Sequence, residues 1–547
     1  MIVSPADRRT PDVLRKSPAL LVSILILWGI LLSVYGAAFP GFLPGRPVLN
    51  AFLVLQGFCA IALSLSLSRM IVSMVFTGLS SINPIDRTGS ALGSPRVAVL
   101  YATCNDFCEP AIESCLKLDH GDCHVFVLDD SDDDACRERV DRFVGGHSIQ
   151  VALIRRGTRE GFKSGNYNHA LRLIQDRFDY FVMVDSDNVV PSDLISVALP
   201  YFQSSGQVGF VSCNQVGYGM GDHPVGVAVG DCFGFSQDVF SSLKNRYGHV
   251  PSYGHNVMVR METWRKIGGF VEGYLSEDNV FSLQARSAGY VGVFVKECYG
   301  RDAVPEDLAS VRRANSRWTC GNLQFLFYYY LKNIRDRTVP WLEKVDIFLG
   351  SFTFAVPWTH LFLLLLMLQD GLHYGLRREN MSGGAEWVGW FRLNLVVSGS
   401  LAIVTILLAG GLMAQQRRPD RASPFRFIVS GTYFYVSFLT KNVIDYLFGL
   451  RPPSAHFWVP LRDATAGKRE ARVFENVAEG VLSLVLMAVG VWMRSLWMVV
   501  IGAVSMMTLA SLRRSREGFF PLMTRLTFVG TVTAGVLTVY RFFFGGY

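Results

Sequence analysis

Between Ser17 and Gly45 the chain carries no charged residue, and Ala19 to Gly36 is almost unbroken in its apolar character. A helix needs about 20 such residues to cross a bilayer, so this stretch reads as a membrane span. Leu49–Leu67 reads as a second. The first is not a cleavable leader: its apolar run exceeds the usual ~7–15 residues, and Arg8, Arg9, Arg15 and Lys16 precede an anchor-length helix. Further apolar blocks occupy Ile347–Gln369, Leu393–Ala414, Phe427–Leu450, Phe474–Met493, Ser495–Leu512 and Leu522–Phe543. Of the 547 residues 50% are hydrophobic and 18% charged, which excludes a fully soluble, a disordered or a disulfide-scaffold protein.

Lys and Arg concentrate in cytoplasmic loops. The basic N-terminus therefore lies inside, two spans return the chain to the cytoplasm, and Arg417, Arg418 and Arg421 also fall inside. Were Phe427–Leu450 to span, the basic stretch Arg462 to Arg472 and the cluster Arg513, Arg514 and Arg516 would both lie outside. That block also holds Lys441 and Asp445, so it reads as an interfacial helix on the cytoplasmic face, with a bent eighth span as the alternative. The expected plan is seven spans, two plus five, in the cell (inner) membrane, with the C-terminus outside. Its parts are a tail and two spans (1–90), a cytosolic domain (91–321), interface helices (322–346), two spans (347–426), an interface helix and loop (427–472) and three spans (473–547). A net charge of +7 is modest at this length, so nucleic acid is not an expected partner. The cysteines, among them Cys104, Cys108, Cys115, Cys123 and Cys136, match no zinc spacing and read as reduced cytosolic thiols.

From Ser94 to Gly321 short apolar runs alternate with charged, glycine-rich segments, as in an α/β domain. Val97–Ala102, His124–Asp129, Gln150–Ile154, Tyr180–Asp185 and Val208–Cys213 read as buried strands. Three end in chemistry: "YATCND", "LDDSDDD" with Asp129 and Asp130, and "VDSDN" with Asp185 and Asp187. Acids at the carboxyl ends of strands in an open α/β sheet face the crevice where ligands bind. A D-x-D pair offers hard oxygens to Mg²⁺ or Mn²⁺, which bridges the phosphates of a nucleotide; solvated loop acids give the same pattern. In "EGFKSGNYNHAL", Lys163 and the small Ser164 and Gly165 would let a phosphate or sugar come close, although a loop glycine more often serves a turn. Glu277 and Asp278 in "GYLSEDNVF" are candidates for a general base acting on an acceptor hydroxyl, or for acids favoured at a helix N-terminus. "RRANSRWTCG" supplies Arg312, Arg313, Arg317 and Trp318. Arg can grip a diphosphate and Trp can stack on a sugar, yet both also anchor chains at membrane interfaces.

In this order, "TCND", "DDS", "GFKSGNYN", "DSD", "GHN", "SED" and "RW" resemble the processive family-2 glycosyltransferases, the group of cellulose, chitin, hyaluronan and periplasmic-glucan synthases, over about Val97–Gly321. The membrane plan extends the resemblance, as does "FWVPLR" at Phe457–Arg462, similar to the loop that gates the bound nucleotide in cellulose synthases. The resemblance implies an α/β GT-A-like (Rossmann-like) cytosolic catalytic domain inserted in an α-helical transmembrane bundle with interface helices. It gives Asn105 and Asp129 to the uridine and ribose, with Asp130 beside them, and Lys163 to the sugar nucleotide. Asp185 and Asp187 go to the diphosphate and a divalent metal, Mg²⁺ or Mn²⁺. Asp278 becomes the general base with Glu277 next to it, Arg317 stabilises the departing diphosphate with Arg313 nearby, and Trp318 stacks on the acceptor. His255 and Asn256 fall to the wall around the sugar, and Phe457, Val459 and Arg462 to the gating loop. "SYGHNVMVR" and "PEDLASVRRANSRWTCGNLQF" look most like the periplasmic-glucan enzymes, which tilts the donor toward UDP-glucose.

The implied activity is inverting, processive polymerisation of a β-linked glucan, with passage through a membrane tunnel near Trp358, His360 and Tyr433. The implied partners are a UDP-sugar, the growing polysaccharide, the lipid bilayer and either a second copy or a periplasmic accessory protein. The sequence departs from the family pattern at Ala314, Pro460, Arg462, Cys104 and Asp106, and no segment after the last apolar block matches a cyclic-dinucleotide sensor. Two alternatives remain open: addition of one sugar to a lipid phosphate carrier, and a membrane channel regulated by a nucleotide.

Overall fold

The computed structural model describes residues 16–39, 41–79, 94–218, 223–305, 307–355, 384–415, 423–449, 452, 469–512 and 519–543. The apolar runs form a sheet whose strands are β1 (Val97–Thr103), β2 (Cys123–Asp129), β3 (Val151–Ile154), β4 (Tyr180–Asp185), β5 (Asn188–Val189), β6 (Val208–Tyr218), β7 (Val257–Arg260) and β8 (Val291–Ala303). Their order is β3-β2-β1-β4-β7-β6-β8-β5. β1 pairs in parallel with both β2 and β4, β2 with β3, and β6 with β8, whereas β7 runs antiparallel between β4 and β6.

Central parallel strands are covered on both faces, which explains why they read as continuous apolar runs without alternation. Successive side chains still point to opposite faces. Val97, Val99 and Tyr101 of β1 join one core with Val125, Val127, Val182 and Val184. Ala98 and Leu100 join the other with Phe126, Leu128, Phe181 and Met183. The first core is closed by the helices Glu109–Cys115 and Leu194–Ser204, the second by Phe162–Ile174. The chain leaves β1 toward β2 and β3 and returns on the other side of β1 as β4. The carboxyl ends of β1 and β4 therefore flank a topological switch point, the usual ligand crevice of such sheets.

β5, β7 and β8 were not among the expected strands. β7 is four residues long and is defined by its neighbours, while β5 exists only through Asn188 and Val189 pairing with Asp302 and Arg301 of β8.

Among the described residues, four helical stretches are long and apolar enough to cross a membrane: Ala19–Ala37, Pro47–Leu79, Val396–Met413 and Phe520–Thr538. Shorter apolar helices cover Asn476–Trp492 and Leu496–Ser511. Ile26 and Ile30 on the first helix and Phe58 on the second are exposed, as a lipid-facing surface requires. The second helix runs to Leu79, well past the expected Leu67, because its last turns dock on the sheet domain: Thr77 donates to the Val239 carbonyl (3.1 Å) and the Arg69 guanidinium lies over Phe240. The block read as interfacial forms two helices, Pro424–Ser437 and Leu439–Gly449, broken at Phe438; neither reaches the ~20 residues of a span. The first packs on membrane-type helices and on Pro224–Ser236 of the sheet domain, the second on Leu308–Gln324. Only Ile347–Ala355 of the Ile347–Gln369 block lies among the described residues, as the end of the Trp341–Ala355 helix. Trp358, His360 and the loop residues Phe457, Val459 and Arg462 lie outside them.

Candidate active site

The Phe162–Ile174 helix assembles the site, and its polar residues each serve a fixed attachment. Asn166 donates to the Leu128 carbonyl at the end of β2 (3.1 Å), and Tyr167 to the Val184 carbonyl near the end of β4 (3.3 Å). Asn168 holds Phe270 and Glu272 (both 2.9 Å). Gly161 precedes the helix at φ +68, and a side chain there would collide with Glu272. A Cβ on Gly165 would meet the Glu160 carbonyl at 2.1 Å and the Arg156 guanidinium at 2.6 Å. The small residue in this motif thus makes room for protein rather than for a ligand.

At the end of β2, Asp129 accepts from Arg155 Nε (2.7 Å) and from the Ser131 backbone (2.9 Å). Asp130 is gripped through both oxygens by Arg156, at 2.8 and 2.6 Å, and both side chains are nearly buried. Asn105, at φ +63, stitches the loop after β1 to this one: its Oδ1 accepts from the backbones of Asp132 and Asp133 (3.0 Å each). Arg155 and Arg156 were not singled out in the sequence. The signal was "RRG" directly after β3, whose carboxyl end lies on the same sheet edge as that of β2.

At the end of β4, Lys163 at the start of the helix reaches Asp185 Oδ1 (2.6 Å), the Gly254 carbonyl (3.1 Å) and, further off, Glu277 Oε1 (3.9 Å). His255 lies between Asp185 (3.4 Å) and Asp302 (3.0 Å), and Asp302 in turn accepts from Asn188. Asp278 borders the same space, since a side chain on Gly254 would come within 4 Å of both Lys163 and Asp278. A small recess opens beside Lys163 and Glu277, walled also by Phe162, Ser164, Tyr274 and Leu275. Asp302 was not foreseen; it arrives through β8, whose apolar "VGVFV" start is a readable strand signal.

The acids here outnumber the cations, and their ionisation reflects it. Burial opposes the Lys163 charge, but Asp185 above all holds its pKa well above the ordinary lysine value. Burial would raise Asp185, yet Lys163, His255 and more weakly Arg317 leave it below the usual carboxylate value. Burial disfavours charged His255, but Asp302 and Asp185 lift its pKa to about 9. Asp187 is pushed up to about 6 by burial and then by the charges of Asp185 and Asp302. Burial, reinforced by Asp278, raises Glu277 to about 7, and burial likewise raises Asp278. Perturbed groups that converge on one crevice mark a functional site.

Asp187 carries a surplus negative charge beside a second carboxylate, which suits a divalent cation. Among the described residues no group of three or more His, Cys, Asp or Glu is arranged to hold a metal ion unaided, so further ligands would be substrate oxygens or water.

The structure therefore brings Lys163, Asp185, Asp187, His255, Glu277, Asp278 and Asp302 together, with Arg317 near enough to act on Asp185. Asp129 and Asp130 are joined to this group across the end of β1, which pairs with the ends of both β2 and β4, and through the Phe162–Ile174 helix, where Arg156 also donates to the Phe162 carbonyl (2.8 Å). Trp318 is 36% exposed and lies nearly parallel to Phe233, ring centroids 6.2 Å apart. Arg313 bonds Ser310 on its own helix (2.7 Å).

A mixed α/β sheet with acids converging at its switch point, held against apolar helices, defines a membrane glycosyltransferase of the GT-A type, and comparison with known proteins places it more closely. The family described as Glycosyl transferase family 2 matches residues 99–249, and Glycosyl transferase family group 2 matches 180–441. The chain belongs to the family-2 membrane glycosyltransferases. It is 24% identical over 350 residues to the glucans biosynthesis glucosyltransferase H of Dickeya dadantii (57% of this chain, 37% of that one). It is 26% identical over 328 residues to the beta-monoglucosyldiacylglycerol synthase of Synechocystis sp. (54% and 66%). This chain thus spans well under half the length of the first of these relatives. Among solved structures it is similar to a mannosyltransferase from Pyrobaculum calidifontis in complex with GDP-Man and Mn²⁺, at 18% identity and a TM-score of 0.46, covering 74% of this chain and all of that one.

Proposed function

We propose that this chain is an inverting, processive transferase that builds a β-linked glucan from UDP-glucose at the cytoplasmic face and passes it through its membrane helices. The observation that carries this reading is the convergence of Lys163, His255, Glu277 and Asp278 on the Asp185 crevice, beside the Arg317–Trp318 helix that packs against the bundle. Similarity to a glucans biosynthesis glucosyltransferase supports glucose as the donor sugar.

In this reading Asp129 and Asp130, held rigid by their arginines, line the nucleoside end. Lys163 and Arg317 meet the diphosphate, where leaving-group charge develops. Asp185 and Asp187 would hold a divalent cation, which supplies further counter-charge when bound. Asp278 takes the proton of the acceptor hydroxyl as that oxygen attacks the anomeric carbon from the face opposite UDP, so the configuration inverts. A carboxyl group with a raised pKa is a better proton acceptor than an ordinary one. Trp318 carries the acceptor ring on its face.

Purified protein incubated with UDP-glucose and other UDP-sugars, with Mg²⁺ or Mn²⁺, should release UDP and yield a polymer that β-glucan hydrolases digest. Absence of UDP release from every donor would overturn the reading. Similarity to a beta-monoglucosyldiacylglycerol synthase favours a second reading, one sugar placed on a lipid, and a lipid-extractable single-sugar product would select it.

A further inference from the structure

The Leu308–Gln324 helix, which carries Arg317 and Trp318, is held by polar groups where apolar packing would have sufficed. Arg312 is 4% exposed and pairs with Glu479, 0% exposed, on the Arg469–Trp492 helix. The other Glu479 oxygen accepts from Thr440 (3.1 Å) and Ser505 (3.0 Å), and the Arg312 guanidinium stands over the Phe438 ring at the helix break. One turn further, Asn315 donates to Asn442 (2.7 Å) and Ser316 to Asp445 (2.8 Å). Two segments of the bundle, Phe438–Asp445 and the Arg469–Trp492 helix, thus engage Arg312 to Ser316, ending one residue before Arg317.

Buried ion pairs seldom stabilise a fold more than apolar residues of the same size, but their directional bonds select one register. Register matters at this place. A shift of one residue turns a helix face by about 100°, which would carry Trp318 off its stack with Phe233 and Arg317 away from Asp185. We propose that Arg312 and Glu479 are positioning residues for glycosyl transfer, fixing the rotation of this helix so that Arg317 and Trp318 meet donor and acceptor. The inference rests on the roles given to those two residues above.

The test uses the full chain in lipid nanodiscs, with kcat and donor KM measured on UDP-glucose. Glu479→Gln and Arg312→Lys should each lower kcat about tenfold or more while KM stays within about twofold, because misplacement of transition-state groups acts on kcat. The exchanged pair Arg312→Glu/Glu479→Arg should return kcat to within about threefold of the parent. In a Trp318→Ala background Glu479→Gln should add less than about twofold, since residues acting through one another are not additive. An unchanged kcat in both single variants, or effects that simply multiply in the double variant, would overturn the proposal. Should Glu479→Gln fail to fold, Arg312→Lys keeps the buried charge and gives the same reading. Arg317→Ala separates the two levels: if it leaves kcat intact, the roles proposed for the site fail, whereas its loss of turnover beside an active Glu479→Gln enzyme removes only the positioning claim.

Discussion

At the end of β2, Asp129 and Asp130 each hold an arginine of their own, whereas at the end of β4, Asp185 and Asp187 share Lys163 and His255 with Asp302, Glu277 and Asp278. The first pair is electrostatically complete in the bare protein. The second stands in a crevice with more acids than cations, where burial pushes Asp187, Glu277 and Asp278 upward and like charge adds to it at Asp187 and Glu277. Two motifs that look alike as strings of Asp therefore do different work. One is a rigid wall, and the other is a place where a cation, a proton or a phosphate counterpart is still wanted.

The largest effect that can break this contrast is on turnover. Asp278→Asn should lower kcat by ~10²–10⁴ while UDP binding, measured calorimetrically, is retained; undiminished turnover would remove Asp278 as the base. Next comes stability at the matched end. Arg156→Met strands Asp130 as a buried unpaired charge and should destabilise the protein by about 3 kcal/mol. The double variant Arg156→Met/Asp130→Leu should recover most of that in thermal unfolding.

A third effect concerns pH. Since burial raises both Glu277 and Asp278, the acid limb of the kcat/KM profile should lie above the ordinary carboxylate range, with activity rising as the pair ionises. Glu277→Gln removes the neighbouring negative charge and should move that limb to lower pH. The smallest effect has a sign opposite to that of Arg156→Met. Asp187 has its folded pKa raised to about 6, so the stability it contributes is complete below its unfolded value and is lost as the pH rises through 6. At pH 8, Asp187→Asn should therefore stabilise the ligand-free protein, by on the order of 1 kcal/mol after solvent screening, while weakening metal-dependent UDP binding. A destabilised Asp187→Asn protein would erase the distinction between the two ends.

Much of the architecture was legible without coordinates because its signals are local. β1, β2, β3, β4 and β6 are runs of apolar residues, and a strand buried on both faces must read that way. The charge-free blocks at Ala19–Ala37 and Val396–Met413 announced their environment for the same reason. The acids could be placed at strand ends, and strand ends of a switch-point sheet share one crevice. The role of Gly165 in "GFKSGNYN" was not legible: it reads as an opening for ligand, but the space beside it is taken by the Glu160 carbonyl and the Arg156 guanidinium.

Residue order alone thus determined which segments leave water, which become strands, and which acids end them, since hydrophobic transfer and side-chain periodicity act over neighbouring positions. Tertiary structure decided the rest. It gave Asp130 its partner 26 positions away, inserted β7 in reverse between β4 and β6, brought Asp302 to His255, and joined Arg312 to Glu479 across 167 positions. Charge pairing in a buried site depends on distance through space and on exclusion of water, and neither quantity is written along the chain.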